Sequence, residues 1–377
     1  MKYDLLLQGG QIIDPSQGLN ALKDLAISNG KVSEIADHIS ADQAGQVIDV
    51  TGKLVTPGLI DLHTHVYHGA IPIGVEADPI AARSGVTTFI DAGSAGAGNF
   101  LGFRLHVIER SRCRILPFLH ISYTGLSCFG YIPGLGELQD LRYADVGKAI
   151  EVAREHGDLV VGIKVRLDRF ATGPHGMAAL WLAREAADAI GKPLMVHTAY
   201  PPPTRWEILP ALRTGDIVTH IFRGEPGSIL TREGKIRPEV YTLQERQVIT
   251  DLGHGVGSFT FKTARQALAQ GFRPDVLSTD IHRLNVNGPV YDLPTTLSKF
   301  LNLGLSLEEV ITMSTLHPAR AIGYEGKLGT LKPGAVADVA VFELQQGAFE
   351  FRDVDGSIMI GTQKLVSTLT LCGGKVL

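Results

Sequence analysis

Eight short apolar runs, separated by stretches long enough to hold a helix, constrain the fold of this chain more than any other feature. They are Leu59 to His65, Thr87 to Asp91, Arg114 to Ser122, Val160 to Lys164, Pro193 to His197, Asp216 to His220, Val248 to Gly253 and Asp275 to Asp280. Each is short, rich in β-branched or other apolar residues, and bounded by Gly, Pro or Asp, so each reads as a buried strand. Helix-like stretches lie between them, such as Met177 to Ile190 and Phe261 to Gln270. Strands alternating with helices imply βα units and a parallel sheet. Eight such units predict a (β/α)8 TIM barrel over residues 54–324, with its active site at the C-terminal ends of the strands.

Potential metal ligands stand at those ends. The first run finishes Leu62-His63-Thr64-His65, and residues i and i+2 of a strand share a face. Neutral imidazole is a good ligand for Zn²⁺ and similar ions. An HxH pair alone is a weak signal, because the chain holds 13 His. The later runs strengthen it: they end on Lys164, His197, His220 and Asp280. Histidines kept for structural reasons alone would not be expected to gather there.

Composition sets the broad class. With 44% hydrophobic and 20% charged residues, the chain can bury a large core and resembles an ordinary globular protein. A formal net charge of −4 argues against a nucleic-acid partner. No apolar run reaches membrane-spanning length, and no basic segment with a cleavage site opens the chain, so no membrane partner is expected. Cys113, Cys128 and Cys372 make no disulfide framework, which fits a reducing, cytoplasmic location. Whether the chain forms a homo-oligomer is left open.

The two ends read as one further domain, residues 1–53 with 325–377. Tyr3 to Ile13 and Leu25 to Ile35 alternate as strands do, with turns expected at Gly9-Gly10 and Ser28-Asn29-Gly30. Lys327 to Phe342 reads as turn then strand, and Lys364 to Leu371 as another strand. A small β-sandwich built from both termini is the economical expectation.

Taken together, the chain resembles the amidohydrolase superfamily of metal-dependent hydrolases. The residues that carry the resemblance are Pro57-Gly58-Leu59-Ile60-Asp61-Leu62-His63-Thr64-His65, then Lys164, His197, His220 and Asp280, and the stretch from Leu328 to Phe342. More narrowly, it is similar to a dihydroorotase-like branch associated with hydrolysis of acylated α-hydroxy or amino acids, deacetylase-like in activity. Thr219 to Gly227, Asp251 to Gly255 and Ser278 to His282 carry that closer likeness. True dihydroorotases carry an arginine two residues after the HxH pair, which grips the substrate carboxylate. Tyr67 stands there in this chain, followed by His68.

The resemblance implies two divalent metal ions per chain, with zinc expected. His63, His65 and Asp280 would bind the more buried ion, His197 and His220 the other, and Lys164 would bridge both. A free ammonium has no lone pair to give, so Lys164 must be carboxylated by CO₂ to a carbamate. A bridging water would then ionise near neutral pH and attack as hydroxide. Asp280 is the expected proton shuttle to the leaving group. His254, His282, Arg166 and Arg223 are the candidates for binding a small-molecule substrate, the arginines through a carboxylate. His68, His106, His120, His156 and His175 are read as structural. The expected reaction is hydrolysis of an ester or amide in an O-acetyl α-hydroxy acid or N-acyl amino acid. The alternative is a cyclic amidohydrolase of the dihydroorotase or hydantoinase type. A catalytically inactive structural homologue is less favoured, because all six ligand positions are retained.

Overall fold

The computed structural model describes residues 1–130 and 135–377. Both ends of the chain contribute to one sheet. Its early strands are β1 (Tyr3–Asp14), β2 (Leu19–Ser28), β3 (Lys31–Ala36), β4 (Ala44–Asp49) and β5 (Leu54–Pro57). The β2–β3 hairpin turns on Asn29 and Gly30 with φ of 53° and 71°, the left-handed pair that a tight two-residue hairpin needs. Gly9-Gly10 is not a turn. It is a bulge inside β1, where the register with β2 shifts between Leu7 and Gly10. A Cβ on Gly10 would lie 2.5 Å from Val55 Cγ2, so the glycine lets β5 pack close.

The barrel strands follow in chain order: β6 (Leu59–Thr64), β7 (Val86–Gly96), β8 (Arg114–His120), β9 (Gly162–Leu167), β10 (Leu194–Thr198), β11 (Ile217–Val218) and β12 (Ile249–Thr250). They form a parallel sheet whose spatial order is their chain order. The helices Gly176–Ile190 and Phe261–Ala269 lie within a residue of the expected positions. The eighth run is less regular than expected. It joins its neighbours through single bridges, Asp251 to Val276 and Thr64 to Ile281. On one side the N–H groups of Leu252, His254 and Gly255 donate to the carbonyls of Val276, Ser278 and Thr279. On the other, Asp280 N–H donates to His63 O and His65 N–H to Ile281 O. The buried carboxylate of Asp61 accepts from both N and Oγ1 of Thr279, at 3.0 and 2.5 Å, and fastens the same seam. The circle therefore closes, and the reason for the broken ladder is local. Asp280 has φ of 50° and His220 φ of 66°, a left-handed backbone that no extended strand accommodates.

The last strands are β13 (Val339–Arg352), β14 (Ile358–Cys372) and β15 (Lys375–Val376). They extend the terminal sheet in the order β15-β14-β13-β5-β1-β2-β3, with β4 also on β1. Hydrogen bonding is continuous across that order. Leu5, Leu25 and Val32 share an apolar core with Val55, Val341 and Leu371, so strands from both ends of the chain enclose it. The strand at 54–57 belongs to this sheet, which extends it past the expected boundary at residue 53.

Two further cores flank the barrel wall. Ile60, Leu62, Ile90, Leu116, Phe118, Met195, Ile217 and Val276 belong to one cluster, with Ala319, Ile322 and Leu328 packed at its edge. A larger cluster includes Phe89, Phe103, Leu180, Phe222 and Phe300. Burying side chains of this size contributes about 1.5–3 kcal/mol each, enough to hold polar residues rigidly at the strand ends. Among the described residues, no helix is long and apolar enough to cross a membrane.

Candidate metal centre

A cavity of ≈ 500 Å³ opens at the C-terminal ends of the barrel strands. His63, His65, Lys164, His197, Asp280 and His282 line it, with His220 directly beneath through its contact to His197. His63, His65 and Asp280 offer ligand atoms that all lie within 4.8 Å of one another. Asp280 Oδ1 is 3.5 Å from His63 Nε2 and 3.3 Å from His65 Nε2. Lys164 Nζ is 3.5 Å from His63 Nε2.

Hydrogen bonds around the histidines decide where their protons sit. Thr219 Oγ1 is 2.6 Å from Asp251 Oδ2 and 2.9 Å from His63 Nδ1. A carboxylate only accepts, so the hydroxyl proton goes to Asp251, and the hydroxyl oxygen must accept from His63 Nδ1–H. Ser278 Oγ also donates to Asp251, at 2.5 Å. His63 therefore presents a lone pair on Nε2, toward Lys164 and Asp280. His65 Nδ1 is held by Ser94 Oγ at 3.0 Å, and Asp91 fixes that turn through the N–H groups of Ser94 and Val66.

His220 Nδ1 is 2.7 Å from Gly253 O, which can only accept, so the proton is on Nδ1 and the lone pair on Nε2. His197 Nε2 is 3.3 Å from Asp168 Oδ2. Nε2 has no other partner among the described residues. The adjacent negative charge favours a proton on Nε2 and a lone pair on Nδ1. The two inward nitrogens, His197 Nδ1 and His220 Nε2, are 2.7 Å apart. Two lone pairs at that distance repel unless a cation lies against them. Reversing the His197 tautomer would point a lone pair at the Asp168 carboxylate instead.

Burial dominates the electrostatics. It pushes His65 and His197 down to about 4, and His63 and His220 well below the ordinary imidazole value, with Lys164 and neighbouring imidazoles adding to the effect in the last two. All four rings are thus neutral and able to ligate at pH 7. Lys164, 3% exposed, is pushed down by burial to about 8, against the opposing pull of Asp280, Asp251 and Asp91. An amine in that range is free base often enough to react with CO₂. These residues fit a metal centre: neutral nitrogen donors, a carboxylate and a reactive amine converge in one buried place. His220 and Asp280 are both in the left-handed backbone region, the kind of strain that functional sites hold in place.

The candidates for substrate binding divide. Arg166 lines the cavity, but its guanidinium is engaged: Nε and Nη2 bond Glu137, and Nη1 bonds Asp168. Arg223 also lines the cavity, stacked 4.4 Å above the Tyr200 ring. Its hydrogen bonds go to Pro226 O and Ser258 Oγ, and among the described residues no carboxylate pairs with it. His282 lines the cavity, and its Nδ1 accepts from Leu284 N–H, leaving an N–H on Nε2. His254 does not reach the cavity. Its Nε2 accepts from Lys299 Nζ at 2.7 Å, and its ring packs 4.6 Å from that of Phe259. Gly253 and Gly255 bend the chain there, and they turn His254 into the wall behind Asp280.

Several site residues escaped the sequence reading. Asp168 continues the same-face series Lys164, Arg166, Asp168 and was legible in principle. His120 ends the third barrel strand, where the strand-end rule already looked, yet it was read as structural. It lines the cavity. Glu137 comes from a long connection, with no local signal. Tyr67 stacks on Phe103 at 4.4 Å and donates to Asn99 O, so it fills core space and offers the cavity nothing.

A profile of the amidohydrolase family matches residues 254–377. A deacetylase of Agrobacterium fabrum is 37% identical over 88% of this chain and 80% of its own length. A deacetylase of Enterococcus faecalis is 33% identical, covering 100% of this chain and 99% of the relative. A crystal structure described as an adenine deaminase superposes with a TM-score of 0.92 at 32% identity, over 100% of this chain and 99% of that one. Another, described as a dihydroorotase, gives a TM-score of 0.90 at 34% identity, over 100% and 98%.

Proposed function

The chain belongs to the amidohydrolase family and is a hydrolase, and from that premise we propose that it cleaves the ester or amide bond of a small acylated carboxylic acid. O-acetyl α-hydroxy acids and N-acyl amino acids are the substrate class. Deacetylases similar over most of the chain support this reading. The observation that carries it is Arg223, a cavity cation that no carboxylate among the described residues pairs. A substrate carboxylate supplies the missing partner in charge-assisted hydrogen bonds.

His63, His65 and Asp280 would hold one divalent ion, and His197 and His220 a second, with carboxylated Lys164 between them. Zinc suits a donor set of imidazoles and carboxylates. Such ions supply an acidified water and an electrophile for the scissile carbonyl. The chain's own residues do the rest. Asp251, through Thr219, keeps the His63 lone pair turned inward. Asp168 does the same for His197 by charge. Asp280, whose carboxyl burial raises above the usual range, is placed to accept a proton and pass it to the leaving oxygen or nitrogen. Arg223 orients the substrate by its carboxylate. The substrate is a small molecule, with no nucleic acid or membrane involved.

The test compares kcat/KM on one metal-replete preparation for an O-acetyl α-hydroxy acid, an N-acyl amino acid and dihydroorotate. We expect dihydroorotate to be slower by at least roughly 100-fold, about 2.7 kcal/mol in barrier. The similarity to a structure described as a dihydroorotase makes the opposite order meaningful: dihydroorotate as the better substrate would overturn the substrate class and leave only the hydrolase.

A further inference from the structure

His120 stands at the end of β8, in parallel register with Lys164 of β9. It lines the cavity, is 1% exposed, and none of the roles above uses it. Its Nδ1 accepts the N–H of Ser122 at 2.9 Å. A neutral imidazole that accepts at Nδ1 carries its proton on Nε2. Burial keeps the ring neutral, pushing its pKa down to about 3 against the pull of Glu137.

Among the described residues that Nε2–H has no hydrogen-bond partner. The closest carboxylate oxygen, Glu137 Oε1, is 3.8 Å away, beyond hydrogen-bond reach, and is already bonded to Arg166 Nε at 2.6 Å. A buried donor without a protein acceptor is uncommon in folded proteins and points to an acceptor bound in the cavity.

We infer that His120 Nε2 donates a hydrogen bond to the acyl carbonyl oxygen of the bound substrate. The identity of that oxygen rests on the acylated-acid reading above. Two observations select it. First, the charge of Arg166 is spent on Glu137 and Asp168 and is not available to pair a substrate carboxylate beside Nε2. A neutral acceptor fits, and a substrate carboxylate does not. Second, His120 and Lys164 pack against the same glycine. A Cβ on Gly93 would lie 2.7 Å from Lys164 Cβ and 3.1 Å from His120 Cδ2. The donor therefore sits beside the ligand cluster, where the bond is cut, and the substrate carboxylate is left to Arg223. A fixed neutral donor strengthens as negative charge gathers on that oxygen, so His120 acts more on kcat than on KM.

The experiment uses the metal-replete holoenzyme with O-acetyl lactate and N-acetyl alanine, comparing wild type, His120→Phe and His120→Gln. His120→Phe removes the donor, and His120→Gln restores an N–H. We expect His120→Phe to keep its metal content and thermal midpoint but to lose about 100-fold or more in kcat, as removal of a single oxyanion donor does. KM should stay within about threefold, and His120→Gln should recover at least about tenfold of the loss. The inference is overturned if His120→Phe retains kcat within about threefold of wild type. It is also overturned if only KM rises, if metal is lost in step with activity, or if His120→Gln is no better than His120→Phe. Wild-type enzyme inactive on both acyl acids refutes the substrate class instead. The same variants are then read on dihydroorotate, whose ring carbonyl makes the same demand.

Discussion

Replacing Thr219 with valine tests the arrangement of the metal centre. The side chain keeps nearly the same shape and loses only the hydroxyl that links His63 Nδ1 at 2.9 Å to Asp251 Oδ2 at 2.6 Å. The neutral bond is of a kind worth about 0.5–1.5 kcal/mol net, and the one to the carboxylate about 1.5–3. Metal-free Thr219→Val should therefore be less stable than wild type by about 2–4.5 kcal/mol. The lower end is favoured, because Asp251 keeps Ser278 and lies only 3.5 Å from His63 Nδ1. A second effect appears on metal. Without the hydroxyl, the His63 Nδ1–H loses its hydrogen-bond acceptor, and only the more distant charge of Asp251 still favours the lone pair on Nε2. Residues that orient a metal-bound histidine are typically worth 10–100-fold in affinity, about 1.4–2.7 kcal/mol. Urea unfolding of the metal-free protein measures the first effect, and competition with a chelator the second. Thr219→Ser keeps the hydroxyl and should match wild type in both. Equal metal affinity for the valine and serine variants, with stabilities within about 0.5 kcal/mol, would refute the reasoning.

Three further outcomes are expected. Lys164→Ala should lose the second metal ion and most activity, and added acetate or propionate should restore part of both. An unmodified Lys164 amine in a high-resolution map of active, metal-loaded enzyme would refute the carbamate. Arg223→Met should raise KM for acylated carboxylic acids by about 10–100-fold, the loss of a charge-assisted hydrogen bond, and leave the methyl esters of the same compounds unaffected. Equal effects on acid and ester would remove Arg223 from carboxylate binding. Lys299 is fully buried and bonds His254, Pro289 O and Arg352 O, and burial pushes its pKa from 10.5 down to about 7. Between those values the unfolded chain binds the extra proton. The stability of metal-free wild type relative to Lys299→Met should therefore rise with pH from about 7 to 10, by up to about 1.4 kcal/mol per unit. A gap that is flat over that range would mean Lys299 is charged throughout.

The barrel was legible because its period is redundant. Each buried strand announces itself by β-branched residues between Gly, Pro or Asp, and eight in succession admit few topologies. The irregular strand ends were not legible. Nothing in Ser278-Thr279-Asp280 says that Asp280 leaves the extended region, because that backbone is held by contacts to β6 across the barrel seam. Six candidate ligand positions could be proposed from residue type and place. The partners that orient them could not, since Thr219, Ser94 and Asp91 look like ordinary strand residues until the fold sets them beside a ring nitrogen. His254 shows the opposite failure. Flanking glycines would allow close approach to a ligand, and the structure uses that freedom to bury the ring against Lys299 and Phe259. Gly9-Gly10 is a related case: it has the chemistry of a turn, and the fold uses it as a bulge that lets Val55 pack close.

The join between β6 and residues 275–281 bears on how the chain is made. His63 and Asp280 meet across more than half of the sequence, and β1 and β5 cannot complete their sheet until β13 exists. A polypeptide emerging from the ribosome therefore carries two half-built sheets with open edges for most of its synthesis. Open edges invite pairing with other chains. A cation held between His63, His65 and Asp280 would act as a clasp, fastening the first barrel strand to the last once both are present. Metal supply during expression should then govern the yield of soluble protein as well as its activity.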